Sequence, residues 1–508
     1  MMKPMESSVE RPHIVLITVD QMRADLMGCA GHPLVQTPHI DNMAARGVRF
    51  EQAYSGTPIC IPARATIMTG QEGHTLGITR YVEGFPLPTT QTLPALLSEG
   101  GYETRVVGKM HVYPERCHYG FDSMLLCEEG RPFGAGTPQK RGYDDYELWL
   151  AEQGYAGQAF AHGIANNEYA MSPWHLPDHL HPTEWIADQS CRTIQRRDWT
   201  RPLFLWASFT APHPPLTPLM RDLYMYERDE MLKPVIGDWA ERHSLYQQRQ
   251  AAAYGSERFT EKQTDLAYRG FYASITQVDR AINRILGTLR EAGMLERTWL
   301  VFTSDHGDSM GDHGLWFKAG FTRGACNIPL IVVPPSKSAG PAGAPAGGWR
   351  LGETNASPVG LQDLLPSCLE MAGLPVPDDL DGRSLVPLLQ PESAGSVRET
   401  LLGEFGTVGA RSLMLTDGRW KYIWFEEDGV ELLFDLEADP MERTDLALRA
   451  EEAERLQAWR DALALRLAAR DADPAVRDGR LAAVGAPRRL DAREKASLAQ
   501  YYNPRGLH

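Results

Sequence analysis

The sequence predicts an α/β fold: a large mixed, mostly parallel sheet sandwiched by helices, followed by a smaller antiparallel sheet with one helix. Three observations carry that expectation. Short apolar runs alternate with longer helical patterns over most of the chain, as strands and crossover helices do. After a break near residues 391–395 the pattern changes to short strands separated by turn residues. Finally, the chain has 508 residues, more than the roughly 250–300 at which one core stops growing, so a large domain plus a smaller one is expected.

The elements follow in order. Residues 13–19, an unbroken β-rich run, form a strand that ends on Asp20-Gln21. Residues 102–107 form another, ending on Gly108-Lys109-Met110-His111. Residues 203–209 run into Thr210-Ala211-Pro212-His213, and residues 298–303 into Ser304-Asp305-His306-Gly307. Open α/β sheets place ligands at the carboxyl ends of their strands, so these four polar clusters mark the expected site. Residues 131–182 are rich in Gly, Tyr, Trp and His without clear periodicity and read as a long insertion over one face of the sheet. Helical spacing returns over residues 266–292, where Tyr272, Ile275, Val278, Ile282 and Ile285 form one apolar stripe. Residues 336–348, rich in Ala, Gly and Pro, are an exposed loop. Beyond the break, residues 401–405, 412–415, 420–425 and 431–435 are strands and residues 451–469 a helix. The expected division is a large domain over 12–392, a small one over 397–470, and an Ala/Arg/Asp-rich tail over 471–508. The tail is expected to dock on this molecule or on a second copy.

Composition narrows the function. With 51 basic and 66 acidic residues the formal charge is −15, which provides no general attraction to nucleic acid or an anionic membrane. An anionic ligand therefore needs a local cationic site. No apolar run reaches the ~18 residues of a membrane span. The first eight residues carry no apolar signal core, so a cytoplasmic location is expected. Seven irregularly spaced cysteines form neither a disulfide framework nor a zinc knuckle.

One cysteine stands apart. In Cys60-Ile61-Pro62-Ala63-Arg64, Pro62 suits an early helical position, which places Cys60 at a helix N-terminus where backbone N–H groups favour an anion. Arg64, one turn along, returns its guanidinium to the same place. An isolated cysteine of this kind is more often a buried structural thiol. Asp20-Gln21 and Asp305-His306, each after a strand, can converge as a hard-cation site with oxygen and nitrogen ligands, although a lone aspartate at a strand end is more often a cap. Lys109 and His111 share a face if the segment is extended. His213 lies in a stiff loop before Pro214-Pro215, and Lys318 follows Asp312-His313-Gly314.

Cys60-x-Pro62-x-Arg64 with Thr69-Gly70, and the order Asp20-Gln21, Lys109-x-His111, Pro212-His213-Pro214, Ser304-Asp305-His306-Gly307, Lys318, resembles the sulfatase family of the alkaline phosphatase superfamily over most of the chain. Asp381-Gly382-Arg383-Ser384-Leu385 and the stretch 433–443 resemble its late structural motifs. The resemblance implies an alkaline phosphatase-like catalytic domain over 12–392 and a Cys60 converted to formylglycine by a maturation enzyme. It further implies attack of the aldehyde hydrate on sulfur, a covalent sulfo-enzyme intermediate, and release of sulfate and an alcohol or phenol from a small sulfate ester. The implied roles place Arg64 and Lys109 on the diol and the sulfate oxygens. His111 deprotonates the second hydroxyl, and His213 protonates the leaving group while Lys318 holds the sulfate. Asp20, Gln21, Asp305, His306 and modified Cys60 would hold one divalent ion, Ca2+ by default, with Mn2+ or Mg2+ admitted by the imidazole. Asp308, Asp312 and His313 are then supporting residues, with no second metal.

The sequence departs from the family pattern in three places. Ile61 and Ala63 replace the commoner hydroxyl residues, and residues 78–84 offer no counterpart to an asparagine that many relatives use, leaving His74 as the candidate in its place. His175, His179 and His181 are read either as a pocket rim for a sugar or aryl group or as a solvated loop. A phosphonate monoester or phosphodiester hydrolase is the nearest rival, disfavoured by Lys109-x-His111. A silent binding protein on the same fold is the third reading.

Overall fold

Eight strands form the central sheet: β1 (His13–Asp20), β2 (Val48–Phe50), β3 (Glu103–Gly108), β4 (Ser123–Leu126), β5 (Leu203–Pro212), β6 (Thr298–Ser304), β7 (Leu330–Val333) and β8 (Glu353–Asn355). Their order is β4-β3-β5-β1-β6-β7-β2-β8. The pairs from β4 through β6 are parallel, whereas β7 is antiparallel to both β6 and β2. The computed structural model describes residues 11–128, 144–227, 230–254, 259–337, 348–391, 395–470 and 472–501. The expected loop at 336–348, the boundary near 392 and the start of the insertion lie largely outside those residues.

β1 is buried along its whole length, which explains why it reads as a continuous apolar run. Successive side chains point to opposite faces. Ile14 and Leu16 join a core with Ile61, Ile67 and Met68 of helix α1 (Cys60–Thr69), while Val15 and Ile17 join a second core on the other face. That second core is built on α2 (Pro182–Gln195) and α3 (Glu261–Glu291). α3 begins five residues before the apolar stripe predicts. A capping box between Thr260 and Gln263 satisfies its first turn, which carries no apolar periodicity to read.

The C-terminal sheet is an antiparallel meander of β9 (Leu401–Phe405), β10 (Ser412–Thr416), β11 (Trp420–Phe425) and β12 (Glu431–Asp435). One face packs under α4 (Ala453–Ala468) through Leu413, Leu415, Tyr422, Leu456 and Leu463. The other, through Met414, Ile423 and Phe434, packs on Tyr54, Trp239 and Phe321 of the large domain. Arg411, at the head of β10, pairs with Glu404, Glu426 and Asp473. The described part of the tail lies on its own chain: Gln248 donates to the Arg488 carbonyl and accepts from the Leu490 amide, both at 2.9 Å.

Candidate active site

The polar clusters converge because parallel neighbours in one sheet end at the same edge. Asp20 is the last residue of β1, beside a bulge against β5, and Asp305-His306 follow the last residue of β6. α1 points its N-terminus at that edge, with Ile59 extended before it and Cys60 as its first residue. Gly108, which ends β3, has φ of 108°, and a Cβ there would meet the Ser208 carbonyl oxygen at 1.9 Å. Only glycine lets β3 and β5 approach so closely where Lys109 leaves the sheet.

One ligand atom from each of Asp20, Cys60, Asp305 and His306 lies within 4.8 Å of the others, and all four residues are buried. Cys60 Sγ lies 3.2 Å from His306 Nε2. The His306 Nδ1–H donates to the Gly307 carbonyl at 3.0 Å, so Nε2 is the nitrogen presented to the cluster. Asp305 accepts from its neighbour's amide, from the Gln21 amide at 3.2 Å and from Arg64 Nε at 2.9 Å. Asp20 Oδ2 accepts from Lys109 Nζ, while Asp20 Oδ1 is buried with no hydrogen bond among the described residues. Burial and the nearby Asp20 push the Asp305 carboxyl upward, outweighing His306 and Arg64. An orphaned carboxylate oxygen, a second carboxylate and an imidazole nitrogen make a donor set that fits a divalent metal ion.

Positive charge surrounds residue 60. Burial pushes the Cys60 thiol up, but Lys318, Lys109 and His306 outweigh it, and with a hydrogen bond from His111 they hold it well below the usual thiol range. Arg64 is fully buried. Besides Asp305, it donates through Nη1 to the Lys109 carbonyl at 2.7 Å and to Ser208 Oγ at 2.9 Å, so it organises the carboxylates as well as facing the anion site. Lys109 and His111 reach the site by a different route from the strand face expected of them. β3 has ended, His111 adopts φ of 52°, and the Glu128 carboxylate accepts the Met110 and His111 amides at 2.9 and 3.0 Å. Glu128 escaped the sequence reading; an acid just past the end of a neighbouring strand was its only signal.

Lys318 Nζ lies 2.6 Å from both His213 Nε2 and Gln21 Oε1, and 3.5 Å from Asn167 Oδ1. Gln21 thus sits beside the cluster with its amide oxygen turned to Lys318, and its amide nitrogen donates to Asp308. Asn167, in the long insertion, is the second residue that sequence reading missed. Asp312 pairs with Arg23 at 2.7 Å, and His313 packs on Trp239 with ring centroids 4.4 Å apart; both are structural, as expected of them.

The four tentative histidines do not form one pocket rim. His74 is corrected outright: its ring faces Glu404 at 3.8 Å, in a crevice with Arg470 under the C-terminal sheet, because the chain after α1 turns toward that seam. His175 binds the Gln158 carbonyl within its own loop, and His179 is exposed. His181 does line the cavity beside His213, together with Tyr146, Phe160 and Trp174. Both its nitrogens are engaged, however, Nδ1 accepting from the Thr183 amide as a helix cap and Nε2 meeting the Thr217 carbonyl.

Residues 12–374 match the family model described as sulfatase, and residues 311–468 match the C-terminal model of N-sulphoglucosamine sulphohydrolase. The chain is 34% identical over 468 residues to an arylsulfatase of Clostridium perfringens (strain 13 / Type A), a match covering 91% of this chain and 95% of the relative. It is 30% identical over 458 residues to a choline-sulfatase of Rhizobium meliloti (strain 1021), covering 86% and 82%. Among solved structures, a phosphonate monoester hydrolase of Agrobacterium radiobacter superposes with a TM-score of 0.72 at 26% identity, covering 90% of this chain and 96% of that one.

Proposed function

The chain belongs to the sulfatase family, and on that footing we propose that it hydrolyses the sulfate monoester of a small alcohol or phenol. The observation that carries this reading is the meeting of Cys60 with Asp20, Asp305 and His306 inside a ring of three cations, Arg64, Lys109 and Lys318. Formylglycine at position 60 would supply an aldehyde hydrate as the nucleophile toward sulfur. A divalent ion held by Asp20, Asp305 and His306 would lower the pKa of a hydroxyl within reach and balance charge on the transferring group.

The remaining work falls to side chains already in place. Arg64 and Lys109 fix the carboxylates and supply positive charge where the sulfate oxygens lie. His111, hydrogen-bonded to residue 60, is the proton acceptor at that side chain. His213 Nδ1–H donates to the Pro214 carbonyl at 2.6 Å, so Nε2 carries the lone pair. Lysine has only donors, so one Lys318 proton lies between Nζ and Nε2. The pair thereby holds a proton for the departing oxygen. The adjacent cavity, walled by Tyr146, Phe160 and Trp174, takes the organic part of the ester.

Calcium is the ion we assign, from the carboxylate-rich donors. Manganese is the second reading, favoured by the imidazole of His306. Elemental analysis of the purified protein decides between them. Phosphonate monoester hydrolysis is the second reading of the activity, favoured by the likeness to the Agrobacterium enzyme. Rates on 4-nitrophenyl sulfate and a phosphonate monoester, with matured enzyme and Cys60→Ala, test both. Sulfate turnover that disappears in the variant is expected, together with a residue-60 peptide about 18 Da lighter than its cysteine form, as loss of SH and H for an aldehyde oxygen requires. Phosphonate preference would replace the proposal.

A further inference from the structure

Where β3 stops, the chain enters a turn that the sheet does not hold. Gly108 is the last residue of β3, and His111 is left-handed, with φ of 52°. A residue that carries a side chain keeps that conformation only where its surroundings enforce it. Glu128, two residues beyond β4, does so. Its Oε1 accepts the Met110 amide at 2.9 Å and the His111 amide at 3.0 Å, and its Oε2 lies 3.1 Å from the same His111 nitrogen. Successive N–H groups point opposite ways along a strand and converge on one carboxylate in a turn of this kind.

Glu128 is fixed from behind. Its own amide donates to Asp144 Oδ2 at 2.6 Å, and Asp144 Oδ1 caps the helix Asp145–Glu152 by accepting the Glu147 amide at 2.7 Å. The Cys127 amide donates to the Gly108 carbonyl at 3.1 Å, which ties the end of β4 to the end of β3. The His111 ring is bracketed separately. Tyr81 and Tyr113 stand edge-on to it, with ring centroids 6.0 and 6.2 Å away, and Glu83 accepts from both phenols.

We propose that Glu128 is a positioning residue that holds His111 at the side chain of residue 60 through the main chain, and so governs breakdown of the covalent sulfo-enzyme rather than its formation. The inference rests on the proposed sulfate hydrolysis with His111 as proton acceptor. In the breakdown His111 takes the proton of the free hydroxyl on residue 60. The O–H electron pair becomes the new carbonyl bond, and the C–O bond to sulfate breaks with its pair leaving on the sulfate oxygen. Formation is spared because Lys109 is anchored at both its peptide groups without Glu128: its amide donates to the Ser208 carbonyl at 3.0 Å, and its carbonyl accepts from Arg64 at 2.7 Å. The hydrogen bonds of Glu128 go to Met110, His111 and Asp144, none of which is a metal donor.

The experiment follows 4-nitrophenol release from 4-nitrophenyl sulfate through the first turnover and into the steady state. It uses matured wild type, Glu128→Gln, Glu128→Ala, His111→Ala and the Glu128→Ala/His111→Ala double variant. The phenol leaves in the first step, so kcat/KM reports formation of the sulfo-enzyme, while kcat also contains its breakdown. A small misplacement of a reacting group costs about 10²-fold, and a loss of about that size in kcat is expected for Glu128→Ala. KM should fall in parallel, leaving kcat/KM nearly unchanged, with a burst of about one phenol per active site before the slow phase. Glu128→Gln keeps an oxygen for the two amides and should lose less. His111→Ala should show the same split, and the double variant should be no slower than it, since Glu128 acts through His111. Two measurements stand apart from turnover. Deuterium exchange of the Met110 and His111 amides should accelerate in Glu128→Ala while β3 stays protected, and elemental analysis should return the wild-type metal content in both Glu128 variants. Equal losses in kcat and kcat/KM without a burst, additive effects in the double variant, or loss of metal from Glu128→Gln would overturn the inference while leaving sulfate hydrolysis standing. A wild type that shows no sulfate turnover would instead remove the reading beneath it.

Discussion

Asp20 and Asp312 show how differently two buried aspartates of the same edge are employed. Asp20 leaves Oδ1 without a hydrogen bond and shares its other oxygen with Lys109, whereas Asp312 closes an ion pair with Arg23, which also holds Asp25 at 2.7 Å. Asp20→Ala is therefore expected to purify without stoichiometric divalent metal. Asp312→Ala should keep the metal and lose on the order of 3 kcal/mol of stability, because Arg23 stays buried with one partner fewer. Elemental analysis and urea melts of the two variants separate these outcomes. Chelation of the wild type should likewise lower its thermal midpoint, by the free energy of the lost binding. Asp20, Cys60, Arg64 and Asp305 were legible in advance because each sits at a strand end or helix start and their motifs, in that order, resemble those of the sulfatase family, whereas position alone would favour caps and a structural thiol. Glu128 and Asn167 were not, since a backbone amide acceptor and a lysine neighbour have no motif of their own.

At the scale of elements, two buried neutral histidines tie secondary structure to pH. His13, the first residue of β1, accepts the Leu203 amide at Nδ1 and anchors β1 to β5; burial lowers its pKa to about 4. His181 caps α2 through Nδ1, and burial lowers its pKa to about 3. Both shifts are downward, so the native state binds fewer protons than the unfolded chain. Their stabilisation is complete above the unfolded value of 6.5 and is lost as pH falls through 4 and then 3. For His13 the displacement corresponds to about 3 kcal/mol. His13→Asn keeps an acceptor and removes the titration, so its urea midpoint should fall less between pH 7 and pH 4.5 than that of the wild type. An equal fall in both proteins would show that His13 is not a source of acid lability. The strands read from the sequence match those observed to within three residues because β-rich apolar runs end sharply in polar clusters, whereas the short β2, β4, β7 and β8 were not read at all. Lys109 and His111 were misplaced on a strand because period-two reasoning outlived the strand itself, which stops at Gly108.

For the molecule as a whole, the two sheets meet through an apolar face, and an ionic knot ties the tail to the smaller sheet. Arg411 is buried and satisfies Glu404, Glu426 and Asp473, which belong to β9, to the turn after β11 and to the tail. Arg411→Met leaves three carboxylates facing one another, with Arg470 the remaining cation against Glu404. A loss of about 3–5 kcal/mol is expected, with the tail cleaved earlier in limited proteolysis. Unchanged unfolding would mean that the knot does not hold the tail to the smaller sheet. Residue types and their spacing were enough to establish the α/β class, the change of architecture near residue 395, the strand-end clusters and the reactive cysteine, because these depend on local periodicity and local chemistry. Tertiary structure decided which clusters face one another, that His74 belongs to the seam, that the described part of the tail packs on Gln248, and which way Gln21 points. Those outcomes depend on contacts between residues hundreds of positions apart, where the balance of burial, charge and hydrogen bonding is struck by the packed molecule and leaves no periodic trace in the chain.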